Sequence, residues 1–590
     1  MRYVKISTSM LAIVALVAVV PSCSSTPGPV VSVTADYPGA DARVVADTVA
    51  APIEQQVNGV EKAVWLRSRS TSDGHYTLQV QFRKGTDPHL AMQLVQSRVN
   101  LALPILPDIL HKQGVTTRLE TPLALVLVLH CVDRSRDPQY LADYARLNLL
   151  PKLSQMSCAG QVELVGAEKS SLHVRVDLEK LRSLDLTASD VAVALKEELA
   201  ELATADKQPD PKAIGRIVVK KHPGGAIYVS DVASLQVGPG KQQSFAYLNG
   251  EAAVAFLIHA AADTTPAGFE KEFRKQLSPL QSELPQGLTL DPTFVSQNHS
   301  QVLLAVTFPD GASLERASES LRRFEPQLRQ IPGVKGSLIL SENRLVPFKG
   351  GPCILLPIEA PSARDTIRVK EAIRRLADAE LRDAAVRIGD LPPADGEACP
   401  IEMAVIGPED QPLREFADAV VAKCQKNREL TEVSAERSQM PSLSLDIDRN
   451  RCRSAGVGVS DVLATIQLSD DEMELGNSPM FGQHLSVELE TGREARWASD
   501  NLAQVKVRAA DGTMVALNQL VTVRDTLAPA CIDRYDMYPI LPLYVTPAAG
   551  ASTAAAWSKC KAAAADARTE LGLSNDYRLQ WLSSAPEPGR

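Results

Sequence analysis

The 590-residue sequence has few aromatics: Phe, Trp and Tyr together make up only 4% of it. A pocket walled by aromatic faces therefore starts from a deficit. No Cys-x-x-Cys pair occurs among the nine cysteines, so neither a zinc ribbon nor a dithiol redox motif is indicated. His-Glu-x-x-His, a glycine loop ending in Gly-Lys-Ser/Thr, and Gly-x-Ser-x-Gly are all absent, and the metalloprotease, P-loop and serine-hydrolase readings go with them. Met403, Met473, Met480 and Met514 are dispersed and give no thioether path for copper. Basic residues are not in surplus. The net charge of -9 lacks the positive footprint that binds nucleic acid. No apolar run reaches the roughly 20 residues of a membrane-spanning helix; Leu123 to His130 is strand-sized. These absences lead to the expectation of a protein that is not an enzyme and holds no metal or cofactor.

What remains is ordinary globular composition, 45% hydrophobic and 23% charged. The length calls for several domains. Arg2 and Lys5 precede an apolar run from Met10 to Val20, which fits the h-region of an export signal. Val20-Pro21-Ser22-Cys23 then looks like a lipobox with Cys23 as the lipidated residue, although Pro21 is unusual within one. An ordinary cleaved signal and a retained anchor are the alternatives. The expected location is the periplasm, by lipid anchor to a membrane, or the cell membrane through a retained N-terminal segment.

From Val30 onward the periodicity is legible. Val31, Val33 and Ala35 alternate as in a strand. Asp41 can cap a helix running to about Asn58, with Val44, Val45, Val49, Ile53 and Val57 on one face. Strands near Val64–Ser70 and Tyr76–Phe82 meet at Ser72-Asp73-Gly74, and a second helix spans about Pro88 to Leu103. This β-α-β-β-α order is the split βαβ, ferredoxin-like motif. It recurs after Gln301: a strand Val302–Phe308, a helix from about Ser313 to Gln330, strands near Ser337–Leu340 and Ile354–Glu359, and a helix near Asp365–Ala379.

A second repeat is sharper. DLEKLRSLDLTASDV at Asp177–Val191 aligns with DRNRCRSAGVGVSDV at Asp448–Val462 at a constant shift of 271 residues. In each copy a strand precedes the match, and Ser189-Asp190 or Ser460-Asp461 opens a helix with side chains suited to capping it. The chain reads as a tandem duplication, about 30 to 296 and 297 to 585. Cys399 opens a strand and Cys424 lies near the end of the returning helix, which makes the two a candidate disulfide.

Particular stretches resemble the periplasmic part of RND multidrug efflux pumps, in their hydrophobe/amphiphile exporter branch. They are SVTADYPGADA at Ser32–Ala42, PIEQQVNGV at Pro52–Val60, FRKGTD at Phe82–Asp87 and LPILP at Leu103–Pro107. The second half adds SLDIDRNR at Ser444–Arg451, VRAADGTMV at Val507–Val515 and RYDMYP at Arg534–Pro539. The resemblance implies an α+β fold of tandem-duplicated halves, built of ferredoxin-like porter subdomains with inserted docking subdomains. Residues 1–23 would be the signal and lipobox. Porter subdomains would occupy 30–120, 121–168 with 242–296, 297–397, and 398–441 with 527–585. Docking subdomains would fill 169–241, in shortened form, and 442–526.

The sequence also departs from that family. Family pumps carry a bundle of membrane helices between the halves and another after the second; both are expected to be missing here. The long hairpin with which family members reach a neighbouring subunit is expected to be reduced to a polar linker at Ala200–Lys220, which leaves a trimer open. The family's phenylalanine-lined drug pocket would be lined here by Leu123, Val165 and Leu338, with Phe348 the nearby aromatic. The resemblance implies an RND permease, a periplasmic adaptor or an outer-membrane channel as partner; the net charge already argues against nucleic acid. The expectation is an efflux porter module without its own proton coupling; a repurposed periplasmic ligand-binding or scaffold lipoprotein is the alternative.

Overall fold

The computed structural model describes residues 28–582, apart from 122, 185, 205–210, 223–224, 241–243, 262–263, 295–300, 310–311, 343–350, 360–362, 391–400, 437–438, 470–471, 481–482, 492–504 and 549–550. Helices are interspersed among strands that often follow one another directly, and the fold is α+β.

The first unit forms where its periodicity places it. Val30–Asp36 leads to a tight turn. At Gly74 a Cβ would come within 2.1 Å of the Tyr37 carbonyl oxygen, so only glycine fits there. Asp41 caps the following helix, accepting from Val44 N at 2.8 Å. That helix widens into a π turn at Ala46–Ala50, just before Pro52. The same device recurs at Ala145–Leu149, before Pro151. In each case the proline lacks the N–H that a regular ladder would use.

Strands Ala63–Thr71, His75–Phe82, Val30–Asp36 and Val115–Glu120 then lie side by side in that order, all antiparallel. In the second half, Leu338–Leu340, Cys353–Pro357, Gln301–Thr307 and Ala385–Asp390 take the same order. Helices cover one face of each unit. Val45, Val49, Ile53, Val95 and Val99 meet Leu78, Val80 and Phe82 in the first; Leu321, Phe324, Leu328 and Ile373 meet Leu304 and Ile354 in the second.

The halves do not fold side by side; they interlock. Among the described residues, one nine-stranded sheet joins the first unit to strands Cys531–Tyr535, Tyr538–Pro547, Ile401–Ile406, Leu430–Ala435 and Arg578–Trp581 of the second half. The other joins Leu123–Cys131, Ala159–Val165, Ala246–Leu248, Glu251–Ala260 and Leu288–Phe294 of the first half to the Gln301–Asp390 unit. The two seams are Ala63–Thr71 against Cys531–Tyr535 and Ala246–Leu248 against Leu338–Leu340.

Each seam is pinned in the same way. The Asn249-Gly250 and Asp536-Met537 turns both have two residues at positive φ, the geometry that matches the twist of a two-residue hairpin. Asn249 Oδ1 accepts from Ser337 N at 3.0 Å, and Asp536 Oδ1 accepts from Leu66 N at 2.9 Å.

The inserted segments show the repeat and its break. Asp177 caps Leu178–Ser183 by accepting from Glu179 N and Lys180 N; Asp448 caps Arg449–Ser454 by accepting from Asn450 N and Arg451 N. The cap of the next first-half helix differs from expectation. Thr187, not Ser189, accepts from Asp190 N at 3.2 Å, and Asp190 Oδ2 accepts from Thr187 N at 2.7 Å, a reciprocal pair.

Strand Ser170–Val176 pairs with Ala233–Pro239 on one side and, in parallel, with Gln483–Thr491 of the second-half hairpin on the other. Its counterpart Gln439–Ile447 pairs only with Val521–Pro529 among the described residues. Leu172 is accordingly 0% exposed, and Leu443, its partner at the 271 shift, 41%. The segment read as a polar linker, Ala200–Lys220, contains a short helix, Pro211–Gly215, and the start of a hairpin that runs beyond it, Val218–His222 with Gly225–Tyr228. Pro211 stands at the first position of its helix, where a missing N–H costs nothing.

Candidate functional site

Each nine-stranded sheet has one face under helices and one face without them, and the helix-free faces differ in chemistry. On the second sheet, Leu125, Leu127 and Leu129 turn toward the helices, while Val126 and Val128 turn the other way. Val126 and Val128 join Val165, Ala246, Leu257, Leu303, Leu338, Leu340, Cys353 and Leu355 in one apolar cluster, with Leu123 packed against it. Three of the expected pocket residues, Leu123, Val165 and Leu338, therefore come together. Val165 and Leu338 are buried side chains of a packed cluster rather than walls of an open cavity. Phe348, Cys399 and Cys23 lie outside the described residues.

On the first sheet the corresponding face is divided: Ala404, Ile406, Tyr535 and Ile540 form a small apolar cluster with Trp65 packed against it, and beside it the face is ionic. Arg67 Nη2 donates to Glu402 Oε1 at 2.6 Å. Arg69 grips Asp533 with two parallel bonds of 2.8 Å and reaches Glu436 at 3.3 Å. The Tyr544 hydroxyl donates to Glu436 at 2.6 Å, and the Arg387 guanidinium, from the second sheet, lies 3.7 Å above the Tyr544 ring. Bidentate pairing and a cation over an aromatic face are the two arrangements to which a planar guanidinium is suited.

Burial alone would raise the Glu436 carboxyl. The Arg69 charge, then the Tyr544 hydroxyl and Arg387, hold it below its usual range. Tyr544 is pushed well up, first by burial and then by Glu436 and Glu402. Burial likewise works against the Arg69 cation, but Asp533 and Glu436 outweigh it and its pKa stands well above the ordinary value.

Behind this face, toward the helices, Glu54 accepts from Ser68 at 2.6 Å, and burial raises its carboxyl. Glu325, at the 271 shift from Glu54, accepts from Ser337 and meets Arg329 at 2.6 Å. The duplication thus carries a buried carboxylate behind each seam.

The two sheets come together near their edges, where Arg374 reaches over from the covering helix Ala363–Glu380. Arg374 pairs with Glu432 at 2.9 Å, and Glu163 of the second sheet lies close enough to Glu120 of the first to add to burial in raising its carboxyl. Beside Tyr544, a cleft lined by Arg387, Ile388, Glu432, Ser434 and Thr546 holds about 210 Å³, including open solvent. Drug-sized sites occupy about 300–1,000 Å³, so this cleft is too small to be one. No group of three or more His, Cys, Asp or Glu among the described residues has metal-binding geometry.

The sequence alone does not single out these ionic residues. Arg67 and Arg69 alternate within a strand of otherwise small or apolar residues, which signals a polar face. Their partners lie hundreds of residues away, where no local pattern reveals them.

Comparison with known proteins decides the family. The model described as the AcrB/AcrD/AcrF family matches residues 7–299 and again residues 293–588. The chain belongs to the AcrB/AcrD/AcrF family. It is thereby an RND efflux transporter family member, and no helix of its described residues is long and apolar enough to cross a membrane. It is 30% identical to the multidrug export protein AcrF of Escherichia coli K12 over 282 residues, 44% of this chain and 27% of that protein. Over the same shares it is 28% identical to the multidrug resistance protein MdtF of Escherichia coli K12 and to the toluene efflux pump membrane transporter TtgB of Pseudomonas putida. The matched region thus spans 27% of the length of each of these relatives.

Proposed function

We propose that this chain is the porter and docking module of an RND-type exporter. It acts in the periplasm, within an assembly whose proton-coupling membrane part is carried elsewhere. The observation that carries the reading is the join between the halves. Strand Leu288–Phe294 belongs to one half and strand Gln301–Thr307 to the next, and only residues 295–300 separate them. Six extended residues reach at most about 20 Å. The hydrocarbon core of a bilayer is about 30 Å thick, so the chain has no room there to cross a membrane and return.

In this reading the four repeated units are ferredoxin-like porter subdomains at 30–120, 121–168 with 242–296, 297–397, and 398–441 with 527–585. Segments 169–241 and 442–526 are the docking inserts. Cys23 carries a lipid anchor. Leu123, Val165 and Leu338 belong to what remains of a substrate pocket, closed by their packing. An apolar cluster of this kind offers little of the aromatic stacking that broad drug recognition uses. The module's contribution is therefore conformational and architectural. A ligand shifts a conformational equilibrium only by its differential affinity, so uphill export needs the separate membrane part.

Affinity capture of the full chain from native membranes, read by mass spectrometry, is expected to retain an RND permease, an adaptor or an outer-membrane channel. Recovery with none of these, and with a small molecule bound in their place, contradicts the reading. A fatty-acid probe is expected to label Cys23; an unlabelled chain contradicts the anchor.

A further inference from the structure

Helices Asp410–Gln425 and Thr553–Glu570 pack against each other over the outer part of the first sheet. Between them two cysteines face one another. The sulfurs of Cys424 and Cys560 are 3.7 Å apart, and the residues are 2% and 1% exposed. Both are thiols in this structure.

The other half shows what normally fills this place. At the 271 shift, Cys424 corresponds to Leu153. With the second helix aligned on its counterpart from their first residues, Thr553 on Pro266, Cys560 corresponds to Phe273. Leu153 and Phe273 are both 0% exposed and share one apolar core. Where one half places a leucine and a phenylalanine in its apolar core, the other places two cysteines face to face. Two cysteines fill less volume than that pair and leave the helices less tightly tied. A bond between the sulfurs would compensate.

We propose that Cys424 and Cys560 are a disulfide-forming pair that staples the two sequence-distant parts of this unit together. The sulfurs need approach by about 1.7 Å to reach the bonded separation of about 2.0 Å. The oxidant is a disulfide-bearing thiol oxidoreductase or a small-molecule disulfide. One cysteine thiolate attacks it to give a mixed disulfide and release one thiol; the second cysteine attacks the mixed disulfide and releases the other. Two cysteine thiols and one external disulfide become one internal disulfide and two external thiols. The link closes a loop that contains the whole of 442–526, and long closed loops remove the most chain entropy from the unfolded state.

In the cell the supply of oxidant rests on the export proposed above; the chemistry itself does not. The test therefore supplies glutathione disulfide in vitro. The full chain is incubated with it until alkylation in denaturant stops changing, and is then mapped by mass spectrometry without reduction. The expected result is a Cys424–Cys560 peptide link. The oxidised chain should also melt several degrees above the reduced one, a difference that Cys560→Ala abolishes. Quantitative alkylation of both residues overturns the proposal, as does a Cys399–Cys424 link. An internal link in glutathione disulfide, with fully reduced protein recovered from cells, upholds the pair and counts against export instead.

Discussion

Two antiparallel strand pairs join the halves of this chain, and they do so with different chemistry. At Ala246–Leu248 against Leu338–Leu340 the helix-free face is leucine, valine and alanine. At Ala63–Thr71 against Cys531–Tyr535 a small apolar cluster around Trp65 and Tyr535 adjoins a network of arginine, glutamate, aspartate and tyrosine. Topology, turn geometry and the pinning side chains Asn249 and Asp536 are shared. Backbone pairing and turn chemistry therefore set the architecture, while the side chains above it are free to diverge. The apolar seam tolerates any shape that fills it. The ionic seam demands its particular partners, because a buried charge without its counterion is far more costly than a poorly packed methyl group.

Arg69→Ala should break the comparison hardest. It strands Asp533 and Glu436, and losing one partner of a buried pair costs about 3–5 kcal/mol. Denaturant unfolding measures it, and a cost under about 1 kcal/mol would mean that water already reaches the seam.

Leu340→Ala probes the other seam. Leu340 is fully buried, and a leucine-to-alanine cavity costs about 2–5 kcal/mol. Unlike Arg69→Ala, its effect should not change with pH.

The pH response itself separates the seams. Glu436 is held below its ordinary value, so its contribution is present above the unfolded value and is lost as pH falls through the lower folded one. Glu436→Gln should therefore flatten the acid limb of a stability–pH profile, starting from the ordinary carboxylate value of 4.5 downward. An unchanged limb would remove Glu436 from the account.

The smallest effect concerns the turns. Gly250 takes φ +83 freely, while Met537 is held at φ 70. Met537→Gly should stabilise the chain by about 1 kcal/mol or less. Destabilisation would show that packing of the Met537 side chain outweighs the strain in its backbone.

The duplicated β-α-β-β-α order is readable because each unit announces itself within a few tens of residues, through alternation in strands such as Val31–Ala35 and caps such as Asp41 and Asp177. The constant offset between Asp177 and Asp448 exposes the repeat for the same local reason. The merging of the halves into common sheets is not readable. Neither Arg69 nor Leu338 carries any local mark of a partner on a distant strand. The candidate site divides along the same line. Leu123, Val165 and Leu338 are reached through a resemblance and are brought together, whereas the Arg67–Glu402 and Arg69–Asp533 pairs need the fold. The same limit holds for Cys424, whose facing cysteine, Cys560, lies on a helix beyond the second insert.

The function proposed above gives this chain a porter and docking role and places the motive force in a separate membrane part. Drug susceptibility of a strain stripped of its own RND pumps, expressing only this chain and confirmed to accumulate it folded, tests that directly. Susceptibility unchanged from the empty strain is the predicted result; resistance that disappears when the proton gradient is collapsed would contradict it.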